Sequence, residues 1–198
     1  MKKMKTLRNA GIAQIVLVIL TIVSIIFFYL LQKSEIENLQ SLQYFSLFVE
    51  GVLLIIIFLG IVKIGKKYKS NFLILMAFLT TTSHLLYSTF ALTGVYTLQT
   101  PSWFVQILNI LLGLSFIKLK NKIENFYTMG FLIIISSAFS LLYISLILFE
   151  STILWAIKAT YIFYSIEVVL SLVSSLILAS IFFKLSKKHE SKLKKKRK

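Results

Sequence analysis

Three ionisable side chains interrupt long apolar stretches of this sequence: Glu50, His84 and Glu167. An ionisable group inside such a stretch must be satisfied by other protein groups or by water, which makes it a candidate functional residue. A histidine with carboxylate neighbours can titrate near neutral pH, so the set could carry a proton or bind a polar ligand. The elements that carry the three side chains decide whether they can meet.

The composition identifies the solvent in which those elements fold. Of the 198 residues, 58% are hydrophobic and 15% are charged, whereas a soluble domain carries roughly a quarter charged residues. The mean hydropathy is +0.87. These values exclude an ordinary soluble protein and predict an all-α integral membrane protein.

Six apolar runs are bounded by charged residues, and a helix of about 20 apolar residues crosses a bilayer core. The runs cover residues 10–31, the segment that ends at Lys63, and residues 72–96, 101–117, 127–149 and 153–183. The first run is too long for a signal peptide and lacks a small-residue cleavage site, so we interpret it as an uncleaved span.

Two local patterns predict where spans begin. Ser34 and Glu37 have the spacing of a capping box, which predicts that the second helix starts before the membrane. Thr100 is a potential cap ahead of Pro101, which is favoured in a first helical turn.

The distribution of basic residues predicts the orientation. Twenty of the 22 lie before the first span or after the second, fourth and sixth spans, and only Lys33 and Lys158 lie on the other side. Because Lys and Arg accumulate in cytoplasmic loops, both termini are predicted to be cytoplasmic. The predicted architecture is a six-span up-down bundle of three helical hairpins over residues 1–183, followed by a polybasic tail, residues 184–198, that is largely disordered.

Helix rise predicts that the three ionisable groups share one level. Measured from the lysine at the cytoplasmic end of each span at 1.5 Å per residue, Glu50, His84 and Glu167 lie about 20, 22 and 25 Å up, in the outer half of the membrane. We expect His84 to hydrogen-bond to Glu50, Glu167 or both. Further polar residues that could line the same seam are Thr80, Ser88, Gln106, Asn109, Ser136, Ser137, Ser140 and Ser171.

This predicted cluster has two interpretations. Polar side chains hold membrane helices together, so the cluster could be internal adhesive and nothing more. It could also line a small polar cavity that opens outward and binds a ligand or carries a proton.

Catalytic and metal-binding motifs are missing from the sequence. Cysteine and aspartate are both absent, and no G-x-S-x-G, H-E-x-x-H or glycine-rich phosphate loop occurs. We therefore expect no enzymatic activity, no cofactor and no metal.

Part of the third span is similar to a known class of membrane module. Phe78-Leu79 followed by Ser83-His84-Leu85-Leu86-Tyr87 resembles the third helix of the multi-span input modules that precede signalling domains in some archaeal-type sensor proteins. The resemblance covers one helix of six. It implies a sensing or ligand-binding module that acts on a separate protein partner. Independently of the resemblance, the chain could form a homo-oligomer.

Two other functions stay open. The size and six-span layout are similar to the substrate-capture subunits of energy-coupling-factor importers, so the chain could be such a subunit or a small secondary transporter. Transporters commonly break their helices near mid-membrane, whereas the single proline here, Pro101, lies at a predicted helix start. A purely structural membrane subunit is the remaining alternative.

The basic tail predicts contact with the membrane surface. Cations next to a membrane gain roughly 1 kcal/mol each near anionic lipid. The predicted lipid contacts are Lys187, Lys188, Lys192, Lys194, Lys195, Lys196, Arg197 and Lys198. We expect no nucleic-acid partner, because no aromatic residue follows Phe183 to stack on bases. Frequent Lys, Ile and Phe with only two Arg favour the plasma membrane of a prokaryote with an AT-rich genome.

Overall fold

The structure, a computed structural model, describes residues 2–31, 39–92, 99–123, 125–149 and 154–195, and these residues form six α-helices. The helices are α1 (Lys2–Leu31), α2 (Leu39–Tyr68), α3 (Asn71–Leu92), α4 (Gln99–Ile117), α5 (Asn125–Phe149) and α6 (Leu154–Lys195). Each predicted span coincides with one helix. The prediction of an all-α protein is confirmed for the described residues.

Four of the helices are long and apolar enough to cross a membrane. Their candidate spans are Lys5–Ile26, Phe45–Tyr68, Asn125–Leu146 and Ile162–Lys188. Shorter apolar stretches, Asn71–Leu86 and Trp103–Ile117, lie in α3 and α4. Large apolar side chains face outward along the bundle; Phe45, for example, is 68% exposed. A surface of this kind is suited to lipid, so the chain is a membrane protein with a helical bundle.

The connection between α2 and α3 is the two-residue turn Lys69 and Ser70. Lys69 has a φ of 55°, the left-handed conformation that commonly ends a helix. The Ser70 backbone N–H donates to the Gly65 carbonyl at 2.9 Å, and the Ser70 hydroxyl accepts from the Leu73 N–H at 3.3 Å. Lys69 and Ser70 thus end α2 and cap the start of α3.

Two predicted helix starts have different outcomes. α4 begins at Gln99, so Thr100 lies inside the first turn and does not cap the helix from outside. Pro101 is also in the first turn. Backbone N–H groups there have no partner within the helix, so the missing N–H of proline costs no hydrogen bond. Ser34 and Glu37, the predicted capping box of the second helix, lie outside the described residues.

The last helix extends further than the sequence analysis predicts. α6 has 42 residues and continues past Phe183 to Lys195, through most of the segment predicted to be disordered. No Gly or Pro follows Phe183, and Lys and Leu, which are good helix formers, are frequent there. The membrane-spanning part of α6 therefore leads into the basic segment without a break.

The helices pack in a closed order. Each packs mainly against its neighbours in sequence, and α6 also packs on α1. The largest fully buried side chains gather toward the end of the bundle that carries most of the lysines, here called the lysine-rich end; they are Phe116, Phe126, Phe182, Ile64, Leu73, Met129 and Ile181.

Aromatic rings close the lysine-rich end across the bundle. The Phe126 ring on α5 lies 5.6 Å from the Phe116 ring on α4 and meets the Tyr68 ring on α2 edge-on at 6.0 Å, measured between centroids. Phe182 on α6 is packed directly over Gly60 on α2. These contacts join α2 to helices that are not its neighbours in sequence, so the interior is filled at this end.

Candidate functional site

Glu50, His84 and Glu167 each lie on the buried face of their helix. Residues that are 7, 11, 14 or 18 positions apart share a face of an α-helix. Glu50 is spaced in this way from Ile57, Ile61 and Ile64, His84 from Ala77 and Leu73, and Glu167 from Ser174, Leu178 and Leu185, all of which are buried. The three ionisable side chains themselves are half-buried. They face the bundle interior and not the lipid.

A hydrogen-bonded chain on α3 and α4 holds His84. The imidazole is hydrogen-bonded to the side chain of Asn109, and Asn109 Nδ2 donates to Gln106 Oε1 at 3.3 Å. Because the Asn109 amide nitrogen is directed at Gln106, its Oδ1 is the atom that suits an imidazole N–H donor. The Asn109 side chain therefore links α3 to α4 at His84.

Thr80 lies one helical turn from His84, toward the lysine-rich end. Its side chain is only 6% exposed, and its hydroxyl oxygen has no hydrogen-bond partner within the part of the chain that the structure describes. A buried polar group without a partner costs free energy, so such a group in a native structure requires an explanation. Its place on the buried face next to His84 makes it a candidate contact for a small polar molecule.

The fifth helix supplies hydroxyl groups to the opposite side of the interior. Ser136, Ser137 and Ser140 are buried, and the Ser136 hydroxyl donates to the backbone carbonyl of Glu167 at 3.4 Å. Next to this contact the rings of Phe139 and Phe163 pack at 5.6 Å. Glu167 is thus held at the level of the α5 serines.

Contacts between successive helices place these groups in one layer. Gly51 packs on Leu85, with 3.3 Å from the position of a Gly51 Cβ to Leu85 Cδ2, which sets Glu50 beside His84 in height. Gly113 on α4 faces Gly130 on α5. One helical turn away from this contact, on the side opposite to the lysine-rich end, Asn109 on α4 is level with Ile134 on α5 and lies near the height of the α5 serines. We call the set Glu50, Thr80, His84, Gln106, Asn109, Ser136 and Glu167 the polar layer.

His84 is connected to an amide side chain within the polar layer. The structure joins His84 to Asn109, and the hydrogen bond of His84 to Glu50, Glu167 or both stays a prediction. α3 packs mainly against α2 and α4, while Glu167 is carried by α6, which packs mainly against α5 and α1. The contact of Glu167 with Ser136 on α5 is made by the Glu167 backbone carbonyl, and the closed ring of helices separates α6 from α3.

The other residues predicted as site candidates or lipid contacts lie on α3, on α6 and in the basic segment at the end of the chain. Ser171 is exposed, and its backbone carbonyl accepts a hydrogen bond from the Ser174 hydroxyl at 2.9 Å. Ser88 belongs to α3, but its side chain is not among those that the structure describes. Lys187 and Lys188 are exposed; Lys192, Lys194 and Lys195 belong to α6; and residues 196–198 lie outside the described residues.

Among the described residues, sequence reasoning missed four buried polar residues, which are Gln14, Ser115, Ser174 and Ser186. Gln14 on α1 has an Oε1 atom with no hydrogen-bond partner in the described ranges. The signal was present in the sequence, since Gln14 is a single amide side chain within the apolar run of the first span.

Metal binding has no support in the part of the chain that the structure describes, where no three His, Cys, Asp or Glu side chains form a group that could hold an ion. The polar layer offers neutral hydrogen-bonding groups and half-buried ionisable side chains. It is suited to binding a small polar molecule or a proton. A scan against protein-family models, a search of curated proteins and a search of solved structures each found no match to this chain.

Proposed function

We propose that this chain is a non-catalytic sensing or ligand-binding module of the membrane, and that the polar layer is its responsive site. It crosses the plasma membrane of a prokaryote six times, with both termini in the cytoplasm, and passes its state to a separate protein partner. The observation that carries the proposal is the closeness of two polar groups on the buried face of α3: the His84 imidazole, which is hydrogen-bonded to Asn109, and the Thr80 hydroxyl one turn away, which has no hydrogen-bond partner among the described residues.

The packing of the bundle favours a binding site over a passage. The aromatic residues Phe116, Phe126 and Phe182 fill the interior at the lysine-rich end, while the ionisable members of the polar layer are half-buried. α2, α3 and α5 continue through the layer as unbroken helices, whereas transporters commonly unwind helices at their substrate sites. A site that is closed on one side is suited to binding and signalling.

Helix lengths support six spans. α3 has 22 residues and α4 has 19, which correspond to about 33 Å and 28 Å at the rise of an α-helix. The hydrocarbon core is about 30 Å thick. α3 and α4 are therefore long enough to cross beside the four longer helices, and an even number of spans leaves both termini on the lysine-rich side.

A single-tryptophan reporter tests the site. The chain has two tryptophans, and Trp103 lies on α4 three residues before Gln106, with 38% of its surface exposed. Trp155→Phe leaves Trp103 as the only reporter. In protein reconstituted in liposomes, we expect its emission to change as the pH is lowered and the imidazole gains a proton. His84→Gln should abolish the change, and the matched variant His189→Gln should retain it.

Two results would replace the proposal with an alternative. If the emission is unchanged by pH and His84→Gln lowers only the melting temperature, the polar layer is structural adhesive. If the purified protein alone moves protons across liposomes that contain a trapped pH indicator, the chain is a transporter. A pH-dependent emission that needs His84, without flux, supports the module.

The absence of native cysteine allows a direct test of topology. Single cysteines introduced as Asn121→Cys and Ser151→Cys should be labelled from opposite sides of the membrane by a maleimide that cannot cross it. We expect the first to react only after the cells are opened and the second in intact cells. The reverse pattern would contradict the proposed orientation.

A further inference from the structure

A groove on the outside of the bundle combines an apolar wall with lysines. It lies between α1 and α6 near the lysine-rich end and has a volume of about 550 Å³. Its lining residues are Ile15, Leu176, Ala179, Ser180, Phe183, Lys184 and Lys187. Leu176 and Ala179 lie toward the middle of α6 and Ile15 lies on α1, whereas Lys184 and Lys187 lie toward the basic end of α6.

The shape of the groove follows from the contact between the two helices. Gly11 on α1 has no side chain, and the Phe183 ring covers it at 3.1 to 3.2 Å from the position that a Cβ would occupy. The ring therefore settles against the α1 backbone. Exposed Ile12 and Ile19 on α1 and exposed Val173 on α6 extend the apolar surface around the groove.

Charge is concentrated where the groove meets the membrane surface. Lys184 and Lys187 are exposed, and Arg8 on α1 is exposed on the same helix face as Ile15, seven residues away. Lys187 and Leu176 are about 16 Å apart along α6. A molecule that fits this groove has an anionic group at one end and an apolar chain of matching length.

We propose that the groove binds one anionic phospholipid of the surrounding bilayer. Its phosphate lies among Arg8, Lys184 and Lys187, where Arg and Lys make charge-assisted hydrogen bonds to phosphate oxygens. One acyl chain lies along Ile15 and Leu176. The Ser180 hydroxyl lies between the phosphate and the acyl chain. Basic pockets between membrane helices bind anionic headgroups in this way. The proposal requires that the lysine-rich end meets the headgroups and does not depend on ligand binding by the polar layer.

Native mass spectrometry of the detergent-purified full chain tests the site, with phosphatidylglycerol and phosphatidylcholine as the added lipids. We expect one phosphatidylglycerol to bind in preference to phosphatidylcholine. The double variant Lys184→Gln/Lys187→Gln should bind it about thirty-fold more weakly, given the usual gain per cation near anionic lipid. Ser180→Trp, which places a bulky ring in the groove at an exposed position, should also remove the bound lipid.

A charge-matched control separates the groove from general attraction to a basic protein. Lys120→Gln/Lys122→Gln removes two exposed charges beyond α4. It should bind phosphatidylglycerol as the unaltered protein does, and melting temperatures verify folding. Equal loss in this control, unchanged binding in Ser180→Trp, or equal affinity for phosphatidylcholine would overturn the proposal.

Discussion

Gly113 on α4 and Gly130 on α5 face each other so closely that neither position has room for a side chain. A Cβ atom on Gly113 would lie 2.7 Å from the Gly130 carbonyl oxygen, and one on Gly130 would lie 2.5 Å from the Gly113 carbonyl oxygen. Small residues allow membrane helices to approach in this way. The contact sets the register of α4 against α5, and hence the height of Asn109 relative to the α5 serines.

Replacing either of these glycines should destabilise the protein. We expect Gly113→Ala and Gly130→Ala each to cost about 1 to 3 kcal/mol, because the obstacle is backbone and cannot rotate away. The matched variant Gly51→Ala meets only Leu85 Cδ2, at 3.3 Å, and gains helix propensity. Thermal unfolding in detergent measures the difference, and equal melting temperatures for all three variants would contradict the close contact.

The bond between His84 and Asn109 should appear as an energetic coupling. A double-mutant cycle of His84→Ala and Asn109→Ala should give a coupling of about 0.6 kcal/mol or more, the usual size for hydrogen bonds between membrane helices. Ser145 supplies the control, because its hydroxyl donates to the Leu141 carbonyl at 2.7 Å within its own helix. A cycle of His84→Ala with Ser145→Ala should show no coupling. Equal coupling in both cycles would argue against the bond.

Removing the unpartnered hydroxyl of Thr80 should stabilise the ligand-free protein. Thr80→Val keeps the shape of the side chain and removes the unmet hydrogen-bonding demand, so we expect a gain of about 1 kcal/mol in the free energy of unfolding. Thr21→Val is the control, since the Thr21 hydroxyl already donates to the Leu17 carbonyl at 2.9 Å. A lower melting temperature for Thr80→Val would show that the hydroxyl has a partner in the purified protein.

Packing at the lysine-rich end should depend on Phe182. Its side chain is 0% exposed, so Phe182→Ala would leave a cavity and cost about 3 to 5 kcal/mol. Phe131 is 46% exposed, and Phe131→Ala should cost much less, because lipid or detergent can fill the space. Chemical denaturation of the two variants would compare these costs. Similar losses would contradict the position of the core.

The turn between α2 and α3 offers a stabilising substitution. Lys69 has a φ of 55°, a conformation that costs a residue with a Cβ about 1 kcal/mol. Lys69→Gly should therefore raise the melting temperature. Lys69→Ala removes the same charge without relieving the backbone and should not. If both variants behave alike, the charge and not the backbone conformation determines the effect.

Much of this arrangement follows from local sequence. The six helices coincide with the six apolar runs because every backbone polar group in a membrane must be bonded within its own helix. The inward direction of Glu50, His84 and Glu167 follows from helical spacing, since each lies at helix-face intervals from residues that are buried. That the three groups share one level stays a prediction from the lysines that flank the apolar runs.

The sequence by itself determined the all-helical architecture and the membrane as solvent, because these depend on composition and on the length of the apolar runs. Tertiary structure decided the partners of the ionisable groups. His84 bonds to Asn109 and Glu167 lies beside Ser136 because of the order of helices around the bundle and the register at Gly113 and Gly130. Both result from packing between distant segments, which no local pattern in the sequence encodes.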